Sequence, residues 1–169
     1  MNSRWIIENL ESNLGTMDAL FQAVDPALVR FRYAGEKWNL LDVACHLLDE
    51  EREDFRPRVK HILEQPREPM KSIDPAGWVN SRNYQGQDLQ KIMEQWRHER
   101  LESVRWLKSL GEVPWKNIHL HPSLGEISAE RMLASWLEHD FLHMRQVLKI
   151  KHHFLLAESG MDLSYAGSW

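Results

Sequence analysis

A chain of 169 residues, 43% apolar and 27% charged, has the composition of one soluble domain with a continuous hydrophobic core. Its 21 basic and 25 acidic side chains leave a net charge of -4 with no basic stripe, which excludes nucleic acid as the main partner. No apolar run approaches the ~20 residues that span a bilayer, and Met1-Asn2-Ser3-Arg4-Trp5 lacks the pattern of an export signal. A cytoplasmic protein with no membrane partner is expected.

Four segments carry helical periodicity and none shows convincing strand alternation. The first runs from about Trp5 to Val24, with Ile6, Leu10, Leu14, Met17, Leu20 and Phe21 at steps of three and four, and ends before Asp25-Pro26. The second starts after Asn39, a good N-cap, and continues to about Leu63; Pro57 inside it predicts a kink or an early end. Cys45 lies on this helix toward its apolar stripe. As the single cysteine it excludes an internal disulfide and a cysteine zinc cage, and it reads as a core residue rather than a nucleophile.

Residues 65–87 form a long crossover with Pro66, Pro69, Pro75 and Gly77, followed by Trp78, Asn80, Arg82 and Tyr84. Such a segment either covers one end of the fold and shapes a pocket, or is a plain crossover whose Trp78 plugs the core. The third helix spans about Asp88 to Leu110, with Leu89, Ile92, Met93, Trp96, Val104 and Leu107 inward and Gly111 as its stop. The fourth starts after Ser128 and runs through Lys149 or a little further. Four amphipathic helices without strands predict one all-α domain, a four-helix bundle with a long crossover between helices two and three.

The fourth helix reads Met132, Trp136, His139, His143, Val147 and Ile150 along one inward face. Two histidines one turn apart therefore occupy core positions, where each unsatisfied polar group costs roughly 1–3 kcal/mol. A shared metal ion would offset that cost. Carboxylates satisfying the two rings would explain the pair equally well. The best third ligand is His46 on the second helix, although it falls roughly 140° from Leu41, at the edge of that helix's apolar stripe. Glu50, one turn beyond His46, is the candidate general base or fourth ligand, with Asp49 next to it. The plainer reading puts Asp49, Glu50, Glu51, Glu53 and Asp54 on a solvated acidic face. Asp140 and Gln146 are candidates to orient the imidazoles. His98 falls on the solvated face. His61, His152 and His153 lie near helix ends, and His119 and His121 lie in a loop.

The chain resembles the DinB/YfiT-like superfamily of metalloenzymes at four places in order. These are Trp38-Asn39 leading to His46-Leu47, Trp78 with Asn80, His121-Pro122 with Gly125 and Ser128, and His139-Asp140 with His143 and Gln146. The resemblance implies a four-helix bundle with nickel, zinc or a similar divalent ion on His46, His139 and His143. Characterised relatives include transferases and isomerases that use low-molecular-weight thiols. Thiol transfer to a small-molecule substrate is therefore the leading expectation and metal-assisted hydrolysis the second. Two non-catalytic readings stand beside them. One is a binding or stress-response bundle with a structural ion. The other is a partner-binding bundle marked by exposed Trp106 and Trp115. Eight tryptophans call for a buried core or a homodimer seam to absorb them.

Overall fold

The computed structural model describes residues 2–169, and the chain is helical apart from one small hairpin. Helix α1 (Ser3–Phe21) begins on Asn2, whose side chain accepts from the Trp5 amide. It stops at Phe21 rather than Val24: Ala23 turns to φ 48, and Pro26 opens the short α2 (Pro26–Arg30) under an Asp25 cap. Helix α3 (Leu40–Glu50) starts in a capping box between Asn39 and Asp42. All eleven of its residues are buried, because α2, the crossover and two long helices enclose it.

Pro57 does not end this helix. A π-helical turn (Glu51–Phe55) leads straight into α4 (Arg56–Glu64), with Pro57 in the first turn of α4. Proline lacks an N–H and crowds the carbonyl four residues back, and a widened turn ahead of it relieves both. The crossover is not bare loop either. It holds α5 (Pro75–Ser81) and a 3-10 turn at Tyr84–Gly86, both packed on α3. Trp78 is buried in the core, so it acts as a plug.

Helix α6 (Leu89–Ser109) is capped by Asp88, and α7 (Ala129–Ser159) by Ser128. Helix α7 outlasts the expected Lys149 and ends where Gly160 takes φ 60, a left-handed turn glycine accepts without strain.

Between α6 and α7 lies the feature that periodicity misses, an antiparallel hairpin of β1 (Ile118–His121) and β2 (Gly125–Ser128). Its alternation is inverted in chemistry: His119 is buried, hydrogen-bonded through Nδ1 to the Pro66 carbonyl, while Leu120 is exposed. An apolar-in pattern could not reveal it.

The long helices α1, α3 with α4, α6 and α7 form the four-helix bundle. Helix α1 packs on α6 and α7, α3 on both as well, and α4 on α7. The core divides into two apolar clusters. One holds Met17, Leu48, Trp96 and Val147, the other Leu10, Phe55, Val104 and Leu137. On each helix a buried polar residue stands between the two: Asn13, Glu51, Arg100 and Asp140. The bundle thus has a polar waist.

Candidate metal centre

At that waist α7 presents His139 and His143 one turn apart, and α3 presents His46. The Nε2 of His139 lies 3.2 Å from Nε2 of His46 and 3.0 Å from Nε2 of His143. One ring nitrogen from each residue lies within 4.8 Å of the others, and this is the only such His, Cys, Asp or Glu group among the described residues. His46 is buried despite its edge position on the wheel, because α3 is covered on every side. The rings are walled by Trp38, 4.6 Å from His46 between centroids, and Phe55, 4.8 Å from His139.

The protonation pattern fits an ion. Nδ1 of His143 donates to Oε1 of Gln146 at 2.8 Å, which fixes the proton there and leaves the Nε2 lone pair facing the other two rings. Gln146 is itself held by Glu36 at 3.4 Å. Nδ1 of His46 is buried without a hydrogen-bond partner. Burial, reinforced by the neighbouring rings, lowers His139 strongly and His46 to about 3. His143 is lowered by burial, partly offset by Gln146 and Asp140. Three neutral imidazoles aimed at one another suit a divalent transition metal, because no proton has to leave before binding.

The carboxylates expected around them divide. Glu50 Oε1 stands 3.7 Å from Nδ1 of His46, on the ring edge opposite the converging nitrogens. Burial and the Asp54 carboxylate push Glu50 up to about 9, so it holds a proton at neutral pH. The acidic run is thus no wholly solvated face: Asp49, Glu50 and Glu51 are buried. Asp49 accepts from Arg82 and from the Tyr84 hydroxyl, each at 2.5 Å, and ties the crossover to α3 instead of orienting an imidazole.

Asp140 likewise turns away from the rings. It takes two hydrogen bonds from Arg100, at 2.7 and 2.8 Å, and one from Asn13 at 3.1 Å. Its influence on His143 is electrostatic only. Gln146 alone touches a triad ring in the orienting manner expected of it.

Cys45 is buried, and burial with the charges of Asp49 and Asp42 raises its thiol to about 12, so it is a core residue. His98 is exposed, and Trp106 and Trp115 pack partly buried against the core.

Sequence reasoning passed over Arg100 and Glu51. Arg100 sits in the gap between Trp96 and Val104 in the α6 stripe, and Glu51 in the gap between Leu48 and Phe55. Polar residues at stripe positions were the available signal.

A cavity of about 940 Å³ opens beside the triad, with His143 in its wall. Its floor is the α7 surface from Leu142 to Leu156, and its far side is the segment from Asp162 to Trp169. Trp169 stacks on His152 at 4.4 Å there.

The fold is similar to that of YfiT from Bacillus subtilis, described as a probable metal-dependent hydrolase with an unusual four-helix bundle topology. The TM-score is 0.80 at 16% identity, over 90% of this chain and 87% of that one. Comparison with curated proteins gives no match. The family model of the DinB superfamily matches residues 9–147, a span that includes all three histidines, and the chain belongs to that superfamily.

Proposed function

We propose that this protein is a metal-dependent enzyme acting on a small molecule, with His46, His139 and His143 holding one divalent ion, zinc or nickel by donor type. The observation that carries the reading is the convergence of three Nε2 atoms next to a cavity with His143 in its wall. A purely structural ion would call for a closed set of four protein ligands, and three ligands beside an opening favour a working site.

The ion would supply Lewis-acid chemistry, activating water or a thiol and polarising a carbonyl or similar group. The protein's own contributions are positional. Gln146 fixes the His143 tautomer, while Glu50, 3.7 Å from Nδ1 of His46, makes no hydrogen bond to that ring and, holding a proton, is no base. Trp38 and Phe55 keep bulk water from the ring faces.

Hydrolysis is the reading we place first, supported by the likeness to YfiT. Transfer from a low-molecular-weight thiol is the second. The cavity of about 940 Å³ lies within the ~300–1,000 Å³ range of ligand pockets and suits either reaction.

Metal content of protein purified without affinity resin tests the ion. About one equivalent in the wild type and loss in His143→Ala are expected, and less than about a tenth of an equivalent in the wild type overturns the proposal. Incubation of the metal-loaded protein with a substrate panel in isotopically labelled water separates the reactions. Label in the product means hydrolysis, and consumption of added thiol without label means transfer.

A further inference from the structure

The cavity beside His143 has an uneven charge pattern. Two acidic groups line it, and both are engaged. Glu36 accepts from the backbone amides of Lys37 and Trp38, from the Tyr33 hydroxyl and from Gln146. Asp162 accepts from the Ser164 amide at 2.8 Å. The two cations in the wall, Arg145 and Lys149, have no carboxylate partner among the described residues; Lys149 lies only over the Tyr33 ring, 5.8 Å from its centroid.

One turn of α7 separates these cations, and they project into the same opening as His143. Apolar surface surrounds them, from Leu142 and Leu156 on α7 and from Trp169 opposite. Free cations set among apolar walls recognise an anion with an apolar body: the charge pairs, and the body displaces water from surface that would otherwise stay wetted.

We propose that this cavity binds a small organic anion. Its carboxylate or phosphate pairs with Arg145 and Lys149, its reacting group is at His143, and its apolar body lies between the two against the cavity's apolar wall. At 1.5 Å rise per residue, Lys149 lies about 9 Å along the helix from His143, the length of a small aryl-alkyl acid. The proposal rests on the reading of the cavity as the substrate side of the histidine triad.

The test uses the full chain dialysed against zinc, with titration calorimetry and saturation-transfer NMR on three probes: phenylbutanoate, its neutral amide, and phenylbutyl phosphate. Both anions bind about tenfold or more tighter than the amide, and their affinity falls as salt is added. The double variant Arg145→Glu/Lys149→Glu lowers anion affinity about tenfold or more and leaves amide binding and zinc content unchanged. The milder pair Arg145→Gln/Lys149→Gln serves if charge reversal harms folding. Which anion binds tighter identifies the head group.

Equal affinity for amide and anions, anion binding unmoved by either double variant, or no saturable binding of any probe overturns the proposal. Zinc content of the same samples separates the two readings. Anion preference without bound zinc overturns the metal centre alone, and bound zinc without anion preference overturns the anion pocket alone.

Discussion

Replacing Arg100 by methionine asks what the polar waist contributes to the bundle. The guanidinium is 1% exposed and meets Asp140 at 2.7 and 2.8 Å and both Glu51 oxygens at 3.0 Å, with a longer bond to the Leu10 carbonyl at 3.3 Å. Burial alone lowers its pKa, but the two carboxylates outweigh burial and raise it, so the side chain stays charged. Methionine fills the place of the aliphatic stem and leaves Asp140 and Glu51 in the core. Their remaining donors are Asn13 at 3.1 Å and Trp136 at 3.1 Å.

Breaking one buried pair costs about 3–5 kcal/mol, and here two are broken. The surviving donors cushion the second, so the expected loss is about 5 kcal/mol, a large part of the ~5–15 kcal/mol that holds a domain together. Urea unfolding followed by circular dichroism measures it. Lys108→Met is the control: it breaks an exposed pair with Glu11, 2.6 Å apart, and costs about 0–1 kcal/mol. The triple variant Arg100→Met/Glu51→Gln/Asp140→Asn should recover much of the loss, because the uncompensated charges go with the arginine. Should Arg100→Met unfold within about 1 kcal/mol of the control, the waist is worth no more than a surface pair and the reasoning fails.

Three further outcomes follow from the same structure. In the metal-free protein the histidines of the triad are held below 6.5, so below that pH the unfolded chain binds more protons than the native one and stability falls as pH drops, by about 1.4 kcal/mol per unit for each group until its folded pKa is reached, about 3 for His46. Glu50, raised to about 9, opposes this between its ordinary 4.5 and 9, so the net decline is shallower and Glu50→Gln steepens it; a flat urea midpoint between about pH 7 and about pH 5 would count against neutral buried rings. Gln146→Leu removes the acceptor for His143 Nδ1 and should weaken metal binding by about 10–100-fold in a chelator competition with the fold intact, whereas unchanged affinity removes Gln146 from the site. Trp78→Ala opens a cavity in the core and should cost about 3–5 kcal/mol in urea unfolding; a loss under about 1 kcal/mol would mean that the crossover is only laid on the bundle.

What the sequence made legible follows its periodicity. The long helices and the caps Asn39 and Ser128 were readable because stripe and cap signals coincide there. His139 and His143 were readable as polar residues in an apolar row. His46 was not readable from the wheel, since a wheel assumes one buried face and α3 is buried on all of them. The direction of Asp140 was equally hidden. A position on the inner side of α7 faces both the triad and α6, and only the presence of Arg100 on α6 decides between them. The π turn was hidden because a widened turn leaves no residue pattern beyond a proline that should have broken the helix.

The waist places two kinds of buried polarity in one layer, and they behave oppositely. Around Arg100 donors meet acceptors: all three guanidinium nitrogens are engaged, and both carboxylates take extra bonds from Asn13 and Trp136. Around the triad only one tautomer is fixed: Gln146 takes the outer proton of His143, and the inner nitrogens of three rings point at one another. A closed cluster fixes helix positions and has nothing left to bind, whereas three converging imidazoles keep lone pairs that a divalent ion would take. The two share α7 at adjacent residues, His139 and Asp140, so the bidentate hold on Asp140 also sets the rotation at which His139 is offered. The rigidity of the closed half would hold the three imidazoles in place for the proposed ion.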